Sequence, residues 1–232
     1  MKFLLERFRL CWWKRAYNKI WKDQLYQNSP TCSTKTEEEA SELTSFIYSN
    51  LEPNKYKIIL DIGCGNGNLG DRVFKDCDLL VQADYNLDAL MAIERNDRFK
   101  KYIIQASSGN LPFKENTFDC VFLYSLIHYA GSLDNAKQWI ADMFRLLKRG
   151  GMLYIGDVPI KKWLNKELIR RFKITKTFEL LKYYFCEFTQ KSFSVDDFLD
   201  IDGAAYIKII SHPKRLRFSS WRLDIEIQKK IK

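Results

Sequence analysis

Apolar and polar residues follow two different periods along the chain, and the changes between them predict its secondary structure. From Tyr56 onward, short apolar runs that are typical of buried strands alternate with stretches of helical spacing. The strands are predicted at 57–62, 79–83, 102–105, 119–123 and 152–156, and the helices between them at 68–76, 87–95 and 135–147. Strands that alternate with helices of this length indicate a parallel sheet with both faces covered.

The last part of the chain departs from this alternation. Residues 158–200 carry an amphipathic, basic and aromatic stretch, and two further strands are predicted at 206–210 and 221–227. The segment His212-Pro213-Lys214 is predicted to join these two strands as a hairpin. We therefore expect an α/β fold: a seven-stranded, mostly parallel sheet with a terminal antiparallel hairpin, helices on both faces and a helical insertion before the hairpin.

Residues 1–50 are predicted as a helical cap that precedes the main domain, 51–232. Within 1–28, three tryptophans lie on the apolar side of a predicted helix, and Lys and Arg residues occupy the other side. Such a helix could close over a cleft as a lid or lie on an anionic membrane surface; we favour the lid and leave both open. An acidic helix is predicted near 36–50, where Thr34 and Glu37 have the spacing of a capping box.

Composition and charge narrow the classes of partner. Hydrophobic residues make up 46% and charged residues 29% of the chain, which is ordinary for a globular protein. The formal net charge of +9 favours an anionic partner, such as nucleic acid, an acidic membrane surface or a phosphorylated substrate. The six cysteines include no C-x-x-C pair and the two histidines are far apart, so no metal site is expected. Without a signal-peptide core or a membrane-length apolar run, a cytoplasmic location is expected.

The strongest candidate for chemistry is a glycine-rich loop after the first predicted strand. Asp61 is followed by glycines at 63, 65 and 67, which let the backbone turn sharply and approach a ligand closely. The run Gly65-x-Gly67-x-x-Gly70 also matches the dinucleotide fingerprint, so a nicotinamide cofactor is one candidate. However, a carboxylate at Asp61 would repel a pyrophosphate and attract an ammonium group. Asp84, at the end of the next strand, could accept both hydroxyls of a ribose.

Five motifs in order carry a family resemblance. They are Asp61-x-Gly63-x-Gly65-x-Gly67, Asp84, Leu111-Pro-Phe113, Phe118-Asp-Cys-Val121 and Leu147-Lys-Arg-Gly-Gly151. Over roughly residues 56–157 the chain resembles the class I S-adenosylmethionine-dependent methyltransferases, in particular the type 11-like subgroup that acts in quinone and small-molecule biosynthesis. The resemblance implies a Rossmann-like sheet with a seventh, antiparallel strand, S-adenosylmethionine as the cofactor, S-adenosylhomocysteine as the product and no metal.

The resemblance also implies cofactor contacts. The methionine end falls to Asp61 and the backbone at Gly63 and Gly65, the ribose to Asp84 and the adenine to Tyr85. The predicted cofactor-binding set is completed by Cys64, Gly67, Ser107, Ser108 and Tyr124. Relatives often have Asp where this chain has Ser107. A serine hydroxyl can still accept a hydrogen bond from the adenine amino group, but without the assistance of a negative charge.

The acceptor is less well defined by the sequence. His128 follows the fourth predicted strand and is the candidate general base, although it could equally line the pocket or cap the next helix. The acceptor pocket is expected from residues 1–28, the loop after Tyr124 and the insertion 158–200. We expect transfer to an oxygen or nitrogen atom of a small molecule or glycan precursor, anionic or lipid-linked. An RNA methyltransferase, suggested by the charge, and a non-catalytic cofactor-binding scaffold are the alternatives.

Overall fold

Seven strands form one mixed sheet in the computed structural model, which describes residue 34 and residues 36–93, 100–162, 192–216 and 219–231. The strands are β1 Ile58–Ile62, β2 Leu79–Asp84, β3 Lys100–Gln105, β4 Phe118–Tyr124, β5 Leu147–Pro159, β6 Ala204–Ser211 and β7 Arg222–Lys229. Their order in the sheet is β3-β2-β1-β4-β5-β7-β6. Strands β1 to β5 pair in parallel, whereas β7 runs antiparallel to β5 and β6 antiparallel to β7. The predicted fold class, including the terminal hairpin, is confirmed.

The helices match the predicted order but differ at their ends. They are α1 Glu37–Leu51, α2 Asn68–Val73, α3 Leu87–Met91 and α4 Leu133–Leu146, with 3-10 turns at Pro53–Lys55, Ile127–Ala130 and Val195–Phe198. The predicted capping box of Thr34 and Glu37 is wrong. The residue that caps α1 is Thr36, whose hydroxyl accepts a hydrogen bond of 3.2 Å from the backbone amide of Glu39.

Alternation along the strands places a helical layer on each face of the sheet. Ile59 points to the face covered by α1 and α2, and the next residue, Leu60, points to the opposite face, which α4 covers. On the first face Ile47 of α1 and Val73 of α2 are fully buried. Both faces of the central strands β1, β2 and β4 are therefore closed to water, which explains why these strands are nearly continuous apolar runs.

The parallel strands bring the loops that follow them to one edge of the sheet. The carboxyl ends of β1, β2, β4 and β5 all lie at this edge, where ligands bind in open α/β folds. Strand β5 is longer than predicted and extends through Asp157, and β7 lies directly beside it. The predicted helix in 1–28 and residues 163–191 of the predicted insertion lie outside the described residues, and the proposed domain boundary at residue 50 stays a prediction. Among the described helices, none is both long and apolar enough to span a bilayer.

Candidate functional site

The loop after β1 is shaped by three glycines in the left-handed region. Gly63, Gly65 and Gly67 have φ values of 69°, 57° and 76°, which side chains rarely permit. The amides of Gly63 and Cys64 both donate to the carbonyl of Ala83, at 2.7 and 3.2 Å, and so fix the loop against the end of β2. The loop therefore leaves its backbone bare at the carboxyl edge of the sheet.

Two neighbouring side chains lie so close to this loop that a residue larger than glycine would have to displace them. A Cβ atom at position 63 would lie 2.6 Å from the side chain of Leu126, and one at position 67 would lie 2.7 Å from that of Gln82. Leu126 belongs to the segment after β4. The loops that follow β1 and β4 therefore pack directly against each other. This close approach joins the two parts of the predicted site.

Asp84 connects the glycine loop to the end of β2. Its carboxylate accepts a hydrogen bond of 3.0 Å from the amide of Gly65 and one of 2.8 Å from the amide of Asn86. Burial raises the pKa of Asp84 above its ordinary value. Each carboxylate oxygen has accepted one of these two bonds and keeps a further lone pair, so Asp84 retains the capacity to accept two ligand hydroxyls.

Asp61 lies beneath the loop in a cluster of carboxylates. It is buried, and burial, followed by repulsion from Asp71 and Asp84, raises the pKa of its carboxyl to about 8. A hydrogen bond with Gln82 and the charge of Lys101 oppose that rise. A cationic group bound at this edge would relieve the repulsion, whereas a pyrophosphate would increase it.

A buried glutamine that the sequence analysis did not single out supports the loop. The amide nitrogen of Gln82 donates to the carbonyl of Gly67 at 2.9 Å and to the carboxylate of Asp71 at 3.2 Å. Asp71 also forms a buried ion pair of 2.5 Å with Lys101. The signal in the sequence is a lone amide residue in the otherwise apolar strand β2. Such a residue is expected to hydrogen-bond to its surroundings once buried.

The residues predicted to contact adenine follow β2 and β3 at the same edge. Tyr85 is half-buried, burial raises its pKa to about 12, and its carbonyl accepts a 3.1 Å hydrogen bond from Gln105. Ser107 is exposed and closes a turn, because the amide of Asn110 donates to its carbonyl at 2.8 Å. Ser108 is partly buried in this turn. Their adenine contacts stay a prediction.

Tyr124 is buried at the end of β4. Its ring stacks on Phe122 with centroids 5.9 Å apart. A Cβ atom at position 156 would lie 2.1 Å from the Tyr124 ring, so only glycine fits there. Tyr124 is followed by Ser125, a non-glycine residue in the left-handed region with φ 53°. Backbone strain of this kind clusters at functional sites.

His128, the predicted base, lies in the 3-10 turn that follows β4. The residue is 3% exposed, and its Nδ1 has no hydrogen-bond partner within the described part of the chain. Burial, with a smaller contribution from the charge of Arg222, lowers its pKa well below the ordinary 6.5. The imidazole is therefore neutral and weakly basic at physiological pH, and its role as the base stays a prediction.

A buried polar network at the ends of β5 and β7 was not predicted. Asp157 has φ 61°, accepts a hydrogen bond from the Ser125 hydroxyl, and forms an ion pair of 2.6 Å with Arg222. The amide of Asp157 donates to Asp224 at 2.8 Å, and the Tyr154 hydroxyl donates to the same carboxylate. The two strained residues, Ser125 and Asp157, thus hold each other in place beside the glycine loop.

This network forms one wall of a small cleft that opens beside α1. The cleft is lined by Thr34, Glu39, Glu42, Leu43, Tyr124, Asp157, His212, Arg215 and Leu216. Tyr124, a predicted cofactor-binding residue, belongs to this lining. The loop after it is one of the predicted contributors to the acceptor pocket, and that role stays a prediction. The other predicted contributors, 1–28 and most of 158–200, lie outside the described residues.

Asp119 lies at the opposite edge of the sheet and stabilises the fold there. Its carboxylate accepts a hydrogen bond of 2.8 Å from the amide of Ile58 and forms an ion pair of 2.7 Å with Lys148. Burial opposes ionisation, but these bonds outweigh it and lower the pKa of Asp119. Within the described ranges there is no group of three or more His, Cys, Asp or Glu residues that could hold a metal ion.

Comparison with known sequences matches the central part of the chain. Residues 60–155 match the family model described as "Methyltransferase domain". Sterol 24-C-methyltransferase erg6 of Schizosaccharomyces pombe is 32% identical over 105 residues, which are 43% of this chain and 27% of the yeast protein. The ubiquinone/menaquinone biosynthesis C-methyltransferase UbiE of Blochmanniella pennsylvanica is 34% identical over 120 residues, 47% of this chain and 46% of that protein. The chain thus spans about half or less of the length of these curated relatives.

Solved structures share the fold at low sequence identity. The plantazolicin methyltransferase BpumL, in complex with a monoazolic desmethylPZN analog and SAH, has a TM-score of 0.67 at 13% identity and covers 99% of this chain and 97% of its own. The N-methyltransferase NodS from Bradyrhizobium japonicum, with SAH, has a TM-score of 0.56 at 15% identity, with 84% and 87% coverage. The matched residues 60–155 run from β1 to β5, so they contain the glycine loop, Asp84 and Tyr124.

Proposed function

We propose that this chain, whose residues 60–155 match the family model described as "Methyltransferase domain", is a class I S-adenosylmethionine-dependent methyltransferase that transfers a methyl group to an oxygen or nitrogen atom of a small molecule or glycan precursor. One observation carries the proposal. A loop of three left-handed glycines is tied by Gly65 to the carboxylate of Asp84, directly above the buried carboxylate of Asp61. That arrangement places three features at one edge of the sheet: an uncovered backbone in the glycine loop, a carboxylate on Asp84 that can accept hydrogen bonds from hydroxyl groups, and the acidic side chain of Asp61.

The residues present fit S-adenosylmethionine as the cofactor. Burial, followed by repulsion from Asp71 and Asp84, raises the pKa of Asp61 to about 8, and the ammonium group of a bound cofactor would favour its ionised form. Asp84 keeps lone pairs for the ribose hydroxyls. Tyr85 and Ser107 follow at the same edge and are the proposed adenine contacts. When bound, the cofactor supplies an electrophilic methyl group on a cationic sulfur.

The protein's own contribution to the reaction would be positioning and desolvation. Tyr124 is buried beneath the exit of β4, and Leu126 closes the space above Gly63. These apolar contacts exclude water from the junction of the glycine loop with the cleft. Holding the acceptor in line in a dry site lowers the barrier without covalent catalysis by a side chain.

The cleft beside α1 is the proposed acceptor site. It is bounded by the exits of β4 and β5, next to the glycine loop, and it is lined by both carboxylates and cations. The small-molecule assignment is supported by the structural neighbours named above, which include an N-methyltransferase and a complex with a monoazolic desmethylPZN analog.

Calorimetry with two ligands tests the proposal. We expect the purified chain to bind S-adenosylhomocysteine with one site and to give no heat of binding with NAD. The reverse result, binding of NAD without binding of the adenosyl compound, would overturn it. Both ligands contain adenosine. A difference in their binding therefore reports whether the site accepts the ammonium-bearing amino-acid end of the adenosyl compound or the pyrophosphate of NAD.

A further inference from the structure

A row of four polar side chains lies beneath the glycine loop, on a sheet face that is otherwise apolar. Asp61 of β1 and Gln82 of β2 are partners in the strand register, and both lie on the face that α1 and α2 cover. Lys101 of β3 shares this face, as the register partner of Leu80, and Asp71 reaches it from α2. These four residues, the polar row, are buried or partly buried, and such a row is costly unless its members bond to one another.

The polar row is connected by hydrogen bonds and one ion pair. The amide nitrogen of Gln82 donates to the Asp71 carboxylate at 3.2 Å, and Gln82 also hydrogen-bonds to Asp61. The other oxygen of Asp71 lies 2.5 Å from Nζ of Lys101, whose side chain is only 6% exposed. The same amide nitrogen of Gln82 donates to the carbonyl of Gly67 at 2.9 Å. The row therefore joins β3 to the glycine loop.

The first turn of α2 rests directly on two members of the polar row. A Cβ atom at position 70 would lie 2.3 Å from Oδ2 of Asp61 and 3.1 Å from Nε2 of Gln82. The helix that follows the glycine loop is therefore seated on the Asp61 carboxyl group. A change in the row is expected to move the loop or to alter the charge beneath it.

The charge of Asp61 depends on groups from the loop and from four elements around it. The titratable and charged groups that face it are Cys64 of the loop, Asp71 of α2, Asp84 of β2, Lys101 of β3 and Cys120 of β4. Burial raises the pKa of both thiols well above the ordinary value, so neither thiol is charged at neutral pH. Two carboxylates thus oppose the ionisation of Asp61, whereas Lys101 and the hydrogen bond from Gln82 favour it.

We propose that Gln82 and Asp71, anchored by Lys101, are positioning residues that hold Asp61 for the ammonium group of the cofactor, and that cofactor binding displaces a proton from Asp61. This inference rests on the proposed function. In this step the O–H bond of the Asp61 carboxyl group breaks, its electron pair stays on the carboxylate, and the proton passes to the buffer. The carboxylate then faces the ammonium, with Gln82 as its donor and Asp71 as a charge that limits its ionisation.

The first test compares two adenosyl ligands by isothermal titration calorimetry between pH 5.5 and 7.5. S-adenosylhomocysteine carries the ammonium, whereas 5′-methylthioadenosine has the same adenine and ribose and no amino acid. The pKa of Asp61 is about 8 before binding, so S-adenosylhomocysteine should release a proton when it binds in this range. Its affinity, divided by that of 5′-methylthioadenosine, should rise by up to about tenfold per pH unit. A ratio that stays constant from pH 5.5 to 7.5 would refute the proposal.

The second test uses two variants whose effects should have opposite signs. Asp71→Asn keeps the shape of the side chain and an oxygen that accepts from Gln82, but it removes a charge that opposes the ionisation of Asp61. At pH 6 the affinity ratio should therefore rise about tenfold, the effect of losing one neighbouring charge. Gln82→Met keeps the length of the side chain but removes the donor, so the ratio should fall about tenfold. Changes of the same sign in both variants would mean that the polar row only supports the loop, and would overturn the proposal.

The ratio of the two affinities also controls for other effects. Asp84 is the proposed ribose contact for both ligands, so its own titration cancels in the ratio. Partial unfolding of a variant lowers both apparent affinities by the same factor. The matched control is Asp76→Asn, which removes a charge at an exposed position outside the polar row. It should leave the ratio unchanged at every pH.

Ligand binding by the unmodified protein separates this inference from the proposed function. If the unmodified protein binds neither adenosyl ligand, the methyltransferase proposal itself fails. If it binds both ligands, but the ratio is constant with pH or the two variants change it in the same direction, only the role of the polar row is refuted. A pH-dependent ratio that Asp71→Asn raises and Gln82→Met lowers supports both proposals.

Discussion

The backbone amide of Gly65 donates a 3.0 Å hydrogen bond to the carboxylate of Asp84, and this bond joins the loop after β1 to the end of β2. The two residues lie 19 positions apart in the sequence. The bond orients one carboxylate oxygen toward the loop, and the Asn86 amide orients the other. The side chain is thus held in one position before any ligand arrives, which reduces the entropy lost on binding.

Replacing Asp84 with Ala tests this preorganised carboxylate. We expect the affinity for S-adenosylhomocysteine to fall by about 1.5–3 kcal/mol, the range for hydrogen bonds to a charged group. Isothermal titration calorimetry measures the change. Asp88→Ala, at an exposed position in the first turn of α3, is the matched control and should leave the affinity unchanged. Equal losses in the two variants would contradict a ribose contact at Asp84.

Asp61 should make the stability of the ligand-free protein depend on pH. The folded protein keeps the Asp61 proton up to about pH 8, whereas the unfolded chain releases it near the ordinary pKa of 3.8. The folded state therefore binds more protons between these values, and the free energy of unfolding falls as pH rises through this window. Asp61→Asn, which is neutral throughout, should abolish this contribution.

Thermal melts at pH 5, 6, 7 and 8 measure the effect. The melting temperature of Asp61→Asn minus that of the unmodified protein should increase steadily from pH 5 to pH 8. The control is Asp76→Asn, at an exposed position one turn beyond α2. The difference between its melting temperature and that of the unmodified protein should stay constant over this pH range. The contrary result is a difference in melting temperature that shrinks as pH rises. It would mean that Asp61 is ionised and stabilised in the folded protein, and that its pKa is not raised.

Local patterns in the sequence predicted the sheet and the glycine loop, because both depend on neighbours in the chain. A strand that ends in Asp61 and opens into closely spaced glycines specifies a tight turn without reference to distant residues. The end of a helix is less well determined. Thr34 and Thr36 each have a glutamate three residues on, and the burial of Ala40, Leu43 and Ile47 under α1 selects the second.

The network around Asp157 was missed because its members meet only in the folded sheet. Asp157 and Arg222 lie 65 positions apart and come together because β7 inserts beside β5 rather than at the edge. The fifth strand was predicted to begin at residue 152, after the glycine pair Gly150 and Gly151, whereas it begins at Leu147. The recoverable signal was the alternation of the charged residues Arg222, Asp224 and Glu226 with apolar residues in β7, where all of them are buried.

Glycine at position 156 should be required for the site. An alanine Cβ there would overlap the ring of Tyr124, so Gly156→Ala forces that ring out of its stack on Phe122. We expect a loss of stability of about 1–3 kcal/mol, as for other overpacked cores, together with weaker binding of S-adenosylhomocysteine. Gly109→Ala is the matched control, since its Cβ would lie at an ordinary 3.5 Å from Trp139. Chemical denaturation compares the two, and equal tolerance would show that Tyr124 can move without loss.

Replacing Ser107 with Asp is expected to strengthen the binding of S-adenosylhomocysteine rather than weaken it. It is exposed in the turn after β3, where the proposed adenine contact is a neutral hydroxyl. A carboxylate accepts a stronger hydrogen bond than a hydroxyl does, by about 1 kcal/mol. Ser107→Asp should therefore bind S-adenosylhomocysteine about fivefold more tightly. Ser108→Asp, in which the same charge is added one residue away, should not.

A second ligand distinguishes a specific contact from a general effect of charge. S-inosylhomocysteine lacks the exocyclic amino group that would donate to Asp at position 107, so its affinity should not rise in Ser107→Asp. Calorimetry gives four affinities, one for each ligand with Ser107→Asp and with Ser108→Asp. Relative to the unmodified protein, only the affinity of Ser107→Asp for S-adenosylhomocysteine should rise. An equal gain for the two ligands would mean that the added charge attracts the cationic end of the ligand from a distance. In that case the adenine would not be bound at the turn that contains Ser107.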